Sequence, residues 1–251
     1  MMTAATMTNE HVLSVDDRKQ AVGRYANYRI GKLQYAYTVQ ASSVARAHLA
    51  LLRRGIDDGR VRWMNVGFDL YEDWPQDTLG NPALDNDPNI VTETRAIAVA
   101  LQMYALHQQS KSQGMAWMPD HKGTGNSADA EQGARSERFR YSFGHVCRMI
   151  DTDQDGSKAT PVLRRLQIME DAPDFDGIRH QLYSLIRMMR NQDVKLDYQA
   201  FAQDLYLLQL PGRRASVFHR WARQYYAVHK TAETKEGEKA KRTAEVQQHG
   251  Q

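Results

Sequence analysis

Residues 197–212 read DYQAFAQDLYLLQLPG, and their spacing is that of a helix. Asp197 can accept backbone N–H bonds as an N-cap, and Tyr198, Phe201, Leu205 and Leu208 then recur at helical intervals until Pro211-Gly212 stops the run. The same spacing continues outward. Ile178, Leu182, Leu185 and Met189 form one stripe upstream, and Phe218, Trp221, Ala222 and Tyr225 mark a last helix downstream. Nearer the N-terminus, Ala41, Val44, Ala45, His48 and Leu52 make another stripe, and Ile97, Leu101 and Ala105 another. Alternating runs bounded by hairpin turns are lacking, apart from a possible short strand pair between Val61 and Phe68. The expected class is all-α.

Two stretches interrupt the pattern. Glu72 to Asn89, EDWPQDTLGNPALDNDPN, carries three prolines, and Ser110 to Ser136, SKSQGMAWMPDHKGTGNSADAEQGARS, is glycine-rich and polar. Both are expected to be loops. Structureless connections beyond ~15 residues are uncommon inside compact domains, so the second separates an N-terminal helical domain (15–137) from a C-terminal bundle (138–229). Two packed helical bundles joined by a long polar loop follow. The segment from about Lys230, KTAETKEGEKAKRTAEVQQHGQ, has almost no large apolar side chain and is expected to be a disordered tail (230–251), as is the N-terminus (1–14).

Composition narrows the class further. No run approaches the ~20 apolar residues that span a bilayer. The start MMTAATMTNEH lacks the basic and apolar regions of a secretory signal, and Cys147 is the single cysteine, so a cytoplasmic protein without structural disulfides is expected. The net charge is +3.

Enzyme and metal signatures are weak throughout. Asp151 to Gly156, DTDQDG, resembles the opening of a calcium loop, but Lys158 and Ala159 occupy the eighth and ninth positions and Val162 the twelfth, where a chelating glutamate belongs. It reads as a solvated acidic turn between helices. Gly123-Thr124-Gly125 lacks the spacing and terminal Lys-Ser/Thr of a phosphate-binding loop, the nine histidines include no paired zinc motif, and Ser142-Phe143-Gly144 is no nucleophile elbow. No catalytic constellation, cofactor or metal is expected.

The arginines are clustered. Arg53 and Arg54 end one helix, Arg164 and Arg165 lie in another, and Arg135, Arg138, Arg140 and Arg148 crowd the segment between. From Arg138 to His229 there are 14 Lys/Arg against 10 Asp/Glu, an excess of +4 where the whole chain has +3. Arginine suits forked contact with phosphate, and rows of such contacts attract nucleic acid without reading sequence. Solvated helix faces and helix C-termini account for the same residues equally well.

The ordered segments ARAHLALLRRG (45–55), AIAVALQMYALHQQS (96–110), SFGHV (142–146), TPVLRRLQIM (160–169) and VKLDYQAFAQDL (194–205), ahead of a tryptophan-bearing terminal helix, resemble the CasB family. These are small subunits of the type I-E CRISPR surveillance complex Cascade. The resemblance runs from about Ala41 to Tyr226 and implies an all-α, non-catalytic protein of two bundles. It implies as partners the subunits CasA, CasC, CasD and CasE, a second copy of the chain packed head to tail, the crRNA, and target DNA, especially the displaced strand of the R-loop. By position, Arg53, Arg54, Arg164 and Arg165 match the family's paired arginines, and Ser142 to Gly144 a turn beside its long loop. Arg135, Arg138, Arg140 and Arg148 are added from charge clustering alone. Sequence selection would then rest with guide–target pairing while the protein contacts backbone. The alternatives are a helical protein–protein adaptor using Trp63, Trp74 and Trp117, and a calcium switch on the acidic loop.

Overall fold

A computed structural model describes residues 13–54, 56, 61–82, 88–119, 128–153 and 159–227. The expectations for both chain ends and for Gly123 to Gly125 concern residues outside these, apart from Leu13 and Ser14. Among the described residues the chain forms α1 (Val15–Thr38), α2 (Ser43–Arg53), α3 (Trp63–Tyr71), α4 (Gln76–Leu79), α5 (Pro88–His107), α6 (Ala128–Arg140), α7 (Phe143–Met149), α8 (Pro161–Asp171), α9 (Phe175–Asn191), α10 (Tyr198–Leu207) and α11 (Arg214–Tyr226). An isolated parallel bridge between Ala116 and Leu196 is the one β-type pairing among them. The class is all-α.

The caps follow local chemistry. Ser14 accepts from the Asp17 N–H at 3.2 Å while Asp17 accepts back from the Ser14 N–H at 3.3 Å, a reciprocal capping box that starts α1. Thr160 caps α8 through the Leu163 N–H, with Pro161 pre-set for the first turn. Asp174 caps α9 and Asp197 caps α10.

Helix α5 is the centre. From Ala96 to Gln108 every side chain is buried, so beyond its first two turns this helix has no solvent face. It packs against α1, α2 and α3 and against α9 and α10, while α1 also lies along α10. Ile178, Leu182, Leu185 and Met189 close the α9 side without measurable exposure. Each fully buried side chain of this size contributes roughly 1.5–3 kcal/mol. On the far side α7 lies against α11 so closely that only a glycine fits at Gly144, where a β-carbon would collide with the Trp221 carbonyl oxygen.

Several expectations need correction. Val61 to Phe68 is not a strand pair, since Trp63 begins α3. Of the stretch Ser110 to Ser136, residues 110–119 form no helix, 120–127 lie outside the described residues, and α6 takes up the end, while α4 and the start of α5 lie inside Glu72 to Asn89. In α2 the buried stripe is Ala45, Leu49 and Leu52, whereas Val44 is 63% exposed and Ala41 lies before the helix. Ala222 faces solvent, and Val217 takes the core position in α11.

Candidate nucleic-acid interface

The eight sequence-selected arginines fall into three kinds of environment. Arg54, Arg140 and Arg164 are exposed and form no ion pair among the described residues. Arg135 is also exposed. These four present cationic groups to solvent.

Three others are partly committed to the fold. Arg53 donates to the Ala105 carbonyl at 3.3 Å, so it lies against the C-terminal carbonyls of α5, where a cation is favoured. Burial, with a smaller contribution from nearby Arg190, lowers its pKa without threatening its charge. Arg165 donates to the Pro161 carbonyl at 2.8 Å within its own helix. Arg138 holds Asp197 at 2.6 Å and is 45% exposed, which ties α6 to the cap of α10.

Arg148 is a correction to the surface cluster. It is 3% exposed, donates to the Asp153 carbonyl and lies over the Tyr225 ring at 5.5 Å. Its neighbour Asp151 corrects the solvated-turn reading in the same way. Asp151 is buried and accepts from the Thr160 hydroxyl at 2.6 Å, from the Asp153 N–H at 3.2 Å and from the Tyr225 hydroxyl. The first aspartate of the DTDQDG stretch therefore joins the end of α7, the start of α8 and the end of α11. Gln154 to Lys158 lie outside the described residues, among which no group of carboxylates, histidines or cysteines could hold a metal ion.

Other residues matter that composition did not single out. Arg214 donates to the carbonyls of Met169, Glu170 and Ala172 and so finishes α8. Arg220 and the Trp221 indole N–H both serve the buried Asp204 carboxylate. Burial raises the pKa of Asp204, and Arg220 opposes the shift. Phe139 and His145 meet edge to face, with ring centroids 5.1 Å apart, at an open cleft of about 610 Å³ that Arg135 and Arg140 also line. The tetrapeptide Arg138-Phe139-Arg140-Tyr141, an aromatic between two arginines, was a visible hint of it.

The adaptor reading loses two of its three tryptophans to the interior. Trp117 is buried and stacked on Tyr141, and Trp74 is half-buried, donating to the Gly80 carbonyl at 2.8 Å. Trp63 remains exposed, next to Met64 in sequence, while Phe68 and Val44 line an open groove among α1, α2 and α3.

Among the described residues the chain is helical apart from one β-bridge, and it presents arginines at the end of α2 and from α6 and α8. The model of the CRISPR-associated protein Cse2 family matches residues 48–226, and the chain belongs to that family, also called CasB. CasB from Thermobifida fusca shares the fold, with a TM-score of 0.58 at 22% identity over 82% of this chain and 98% of that one. CasB from M. ruber aligns at 21% identity over 86% of this chain and 97% of that one, with a TM-score of 0.48. No curated protein sequence matches the chain. None of the described helices is long and apolar enough to cross a membrane.

Proposed function

We propose that the chain is the non-catalytic small subunit of a type I-E Cascade complex and that it holds the displaced DNA strand of the R-loop by its phosphate backbone. The observation that carries this reading is the Cse2 family match across residues 48–226. The exposed Arg54, Arg140 and Arg164 supply the chemistry, with Arg135, also exposed, beside Arg140, because guanidinium groups pair with phosphate without distinguishing bases. Arg53, Arg138 and Arg165 contribute secondarily, each having one interaction to the fold already. The partners are the other Cascade subunits, CasA, CasC, CasD and CasE, a second copy of the chain, the crRNA and the target DNA.

Co-expression with the other complex subunits and guide RNA tests the assembly directly. Co-purification of the chain with the RNA-loaded complex is expected, and its exclusion overturns the proposal.

The adaptor alternative keeps the exposure of Trp63 (41%), Met64 (94%) and Phe68 (61%) on α3 and of Val44 (63%) on α2. Within the complex such a surface is suited to a protein neighbour. Protein docking there and phosphate contact elsewhere are compatible roles.

A further inference from the structure

The cleft between α6 and α7 carries more than charge. Helix α6 is polar, ADAEQGARSERFR, and Phe139 is its single large apolar side chain. That ring is 38% exposed instead of turned into the core. It meets His145 of α7 at 5.1 Å, and the two rings form an aromatic corner in a cleft whose wall includes Arg135 and Arg140. Burial, and after it the charge of Arg140, holds the His145 imidazole below its usual pKa, so at neutral pH the ring is uncharged and the positive charge of the corner sits on the arginines.

An exposed aromatic with neighbouring guanidinium groups matches one chemical pattern closely. Single-stranded nucleic acid offers flat base faces at the spacing of its phosphates, and aromatic side chains stack on those faces whatever the base. A duplex offers no free base face, because its bases are stacked on each other. The acidic side chains of a peptide would satisfy the arginines but offer no aromatic face to Phe139, whereas every nucleotide pairs a phosphate with a flat base.

We infer that the α6–α7 cleft is a base-stacking subsite for single-stranded nucleic acid, in which one unstacked base lies on Phe139 while flanking phosphates meet Arg140 and Arg135. The subsite deepens the proposed function and rests on it. It adds a preference for single strands over duplex that phosphate contacts alone do not supply.

Fluorescence anisotropy of the full chain with a labelled oligothymidine and a matched duplex, at several salt concentrations, separates the possibilities. Phe139→Ala should weaken single-strand binding roughly five- to hundredfold while leaving its salt slope and duplex binding unchanged. Phe139→Trp should retain binding, and Phe139→Leu, which keeps apolar bulk without a π face, should lose it. Arg140→Gln should weaken both ligands and flatten both slopes. Full single-strand affinity in Phe139→Leu, or equal losses on both ligands in Phe139→Ala, overturns the subsite and leaves the proposed function standing. Failure of the unaltered chain to bind either ligand at low salt overturns the subsite together with backbone binding by this chain.

Discussion

The Tyr225 hydroxyl on α11 donates to the buried carboxylate of Asp151 at the end of α7, and the Thr160 hydroxyl donates to the same oxygen. One acidic side chain thereby satisfies groups from separate helices. Asp151→Ala should strand both hydroxyls, at roughly 1–3 kcal/mol for each buried group left unpaired. Thermal or urea unfolding should show a clear loss of stability, with Asp151→Asn less affected because an amide oxygen still accepts. The Tyr225 pKa is pushed up to about 12 by burial first and then by Asp151. An unfolded tyrosine ionises near 10, so the contribution is present below that pH and fades between about 10 and 12. Tyr225→Phe should remove this alkaline component from the stability profile.

His107 should make the fold sensitive to acid. Burial depresses its pKa to about 3, with Arg190 and Lys111 acting in the same direction and the Val194 backbone and Asp193 opposing. Its ring also meets the Tyr198 hydroxyl at 3.1 Å. The unfolded chain takes up this proton below about 6.5 while the folded chain resists it, so stability should fall as pH drops from there toward 3. The limiting slope is about 1.4 kcal/mol per pH unit for one proton. Urea midpoints from pH 7 to 4 should fall less steeply in His107→Gln than in the unaltered chain.

The legibility of the fold in the sequence varied with how each helix is buried. Helix α9 buries one side and shows it as a plain stripe, whereas α10, held between α1, α5 and α11, buries residues all round, and the Tyr198, Phe201, Leu205 and Leu208 stripe is only part of what it hides. Helix α1 buries Val22, Tyr25, Ala26, Ile30 and Leu33 together with Arg29, and a charge within the stripe conceals the pattern. Arg29 is tolerated because its Nε donates to the Asp69 carbonyl at 2.9 Å while its other nitrogens pair with Glu72 and Asp73. That compensation comes from residues 40 or more positions away. The arginine cluster shows the same limit: charge counting cannot separate exposed Arg164 from interior Arg148, because the distinction depends on α7 meeting α11. The Phe139–His145 corner showed in the sequence only as an aromatic between two arginines, since the two rings meet only once α6 and α7 do.

The two arginines of α8 should differ in their effect on DNA binding. Arg164 is exposed and unpaired among the described residues, whereas Arg165 already donates to Pro161. Arg164→Ala should reduce the steepness of log affinity against log salt by roughly 0.7 on single strands, equally for unrelated sequences. Arg165→Ala should reduce it less. An unchanged slope in Arg164→Ala would remove that residue from the contact surface.

Arg148→Ala should behave in the opposite way. Losing the donor to Asp153 and the contact with the Tyr225 ring should lower the melting temperature, with a stability loss of roughly 1–3 kcal/mol. The salt dependence of nucleic-acid binding should stay as it was. A changed slope in a variant that remains folded would return Arg148 to the interface.

The pairing of Arg138 with Asp197 sets two demands against each other. Asp197 is 2% exposed and already accepts from the Ala200 N–H, so α10 keeps its cap whether or not the arginine is present. A phosphate that drew Arg138 away would leave that carboxylate in the interior without its counter-charge. Arg138 is therefore a reluctant donor to any passing strand, and the ion pair that fastens α6 is also what restrains its most deeply anchored cation from leaving the protein for the ligand.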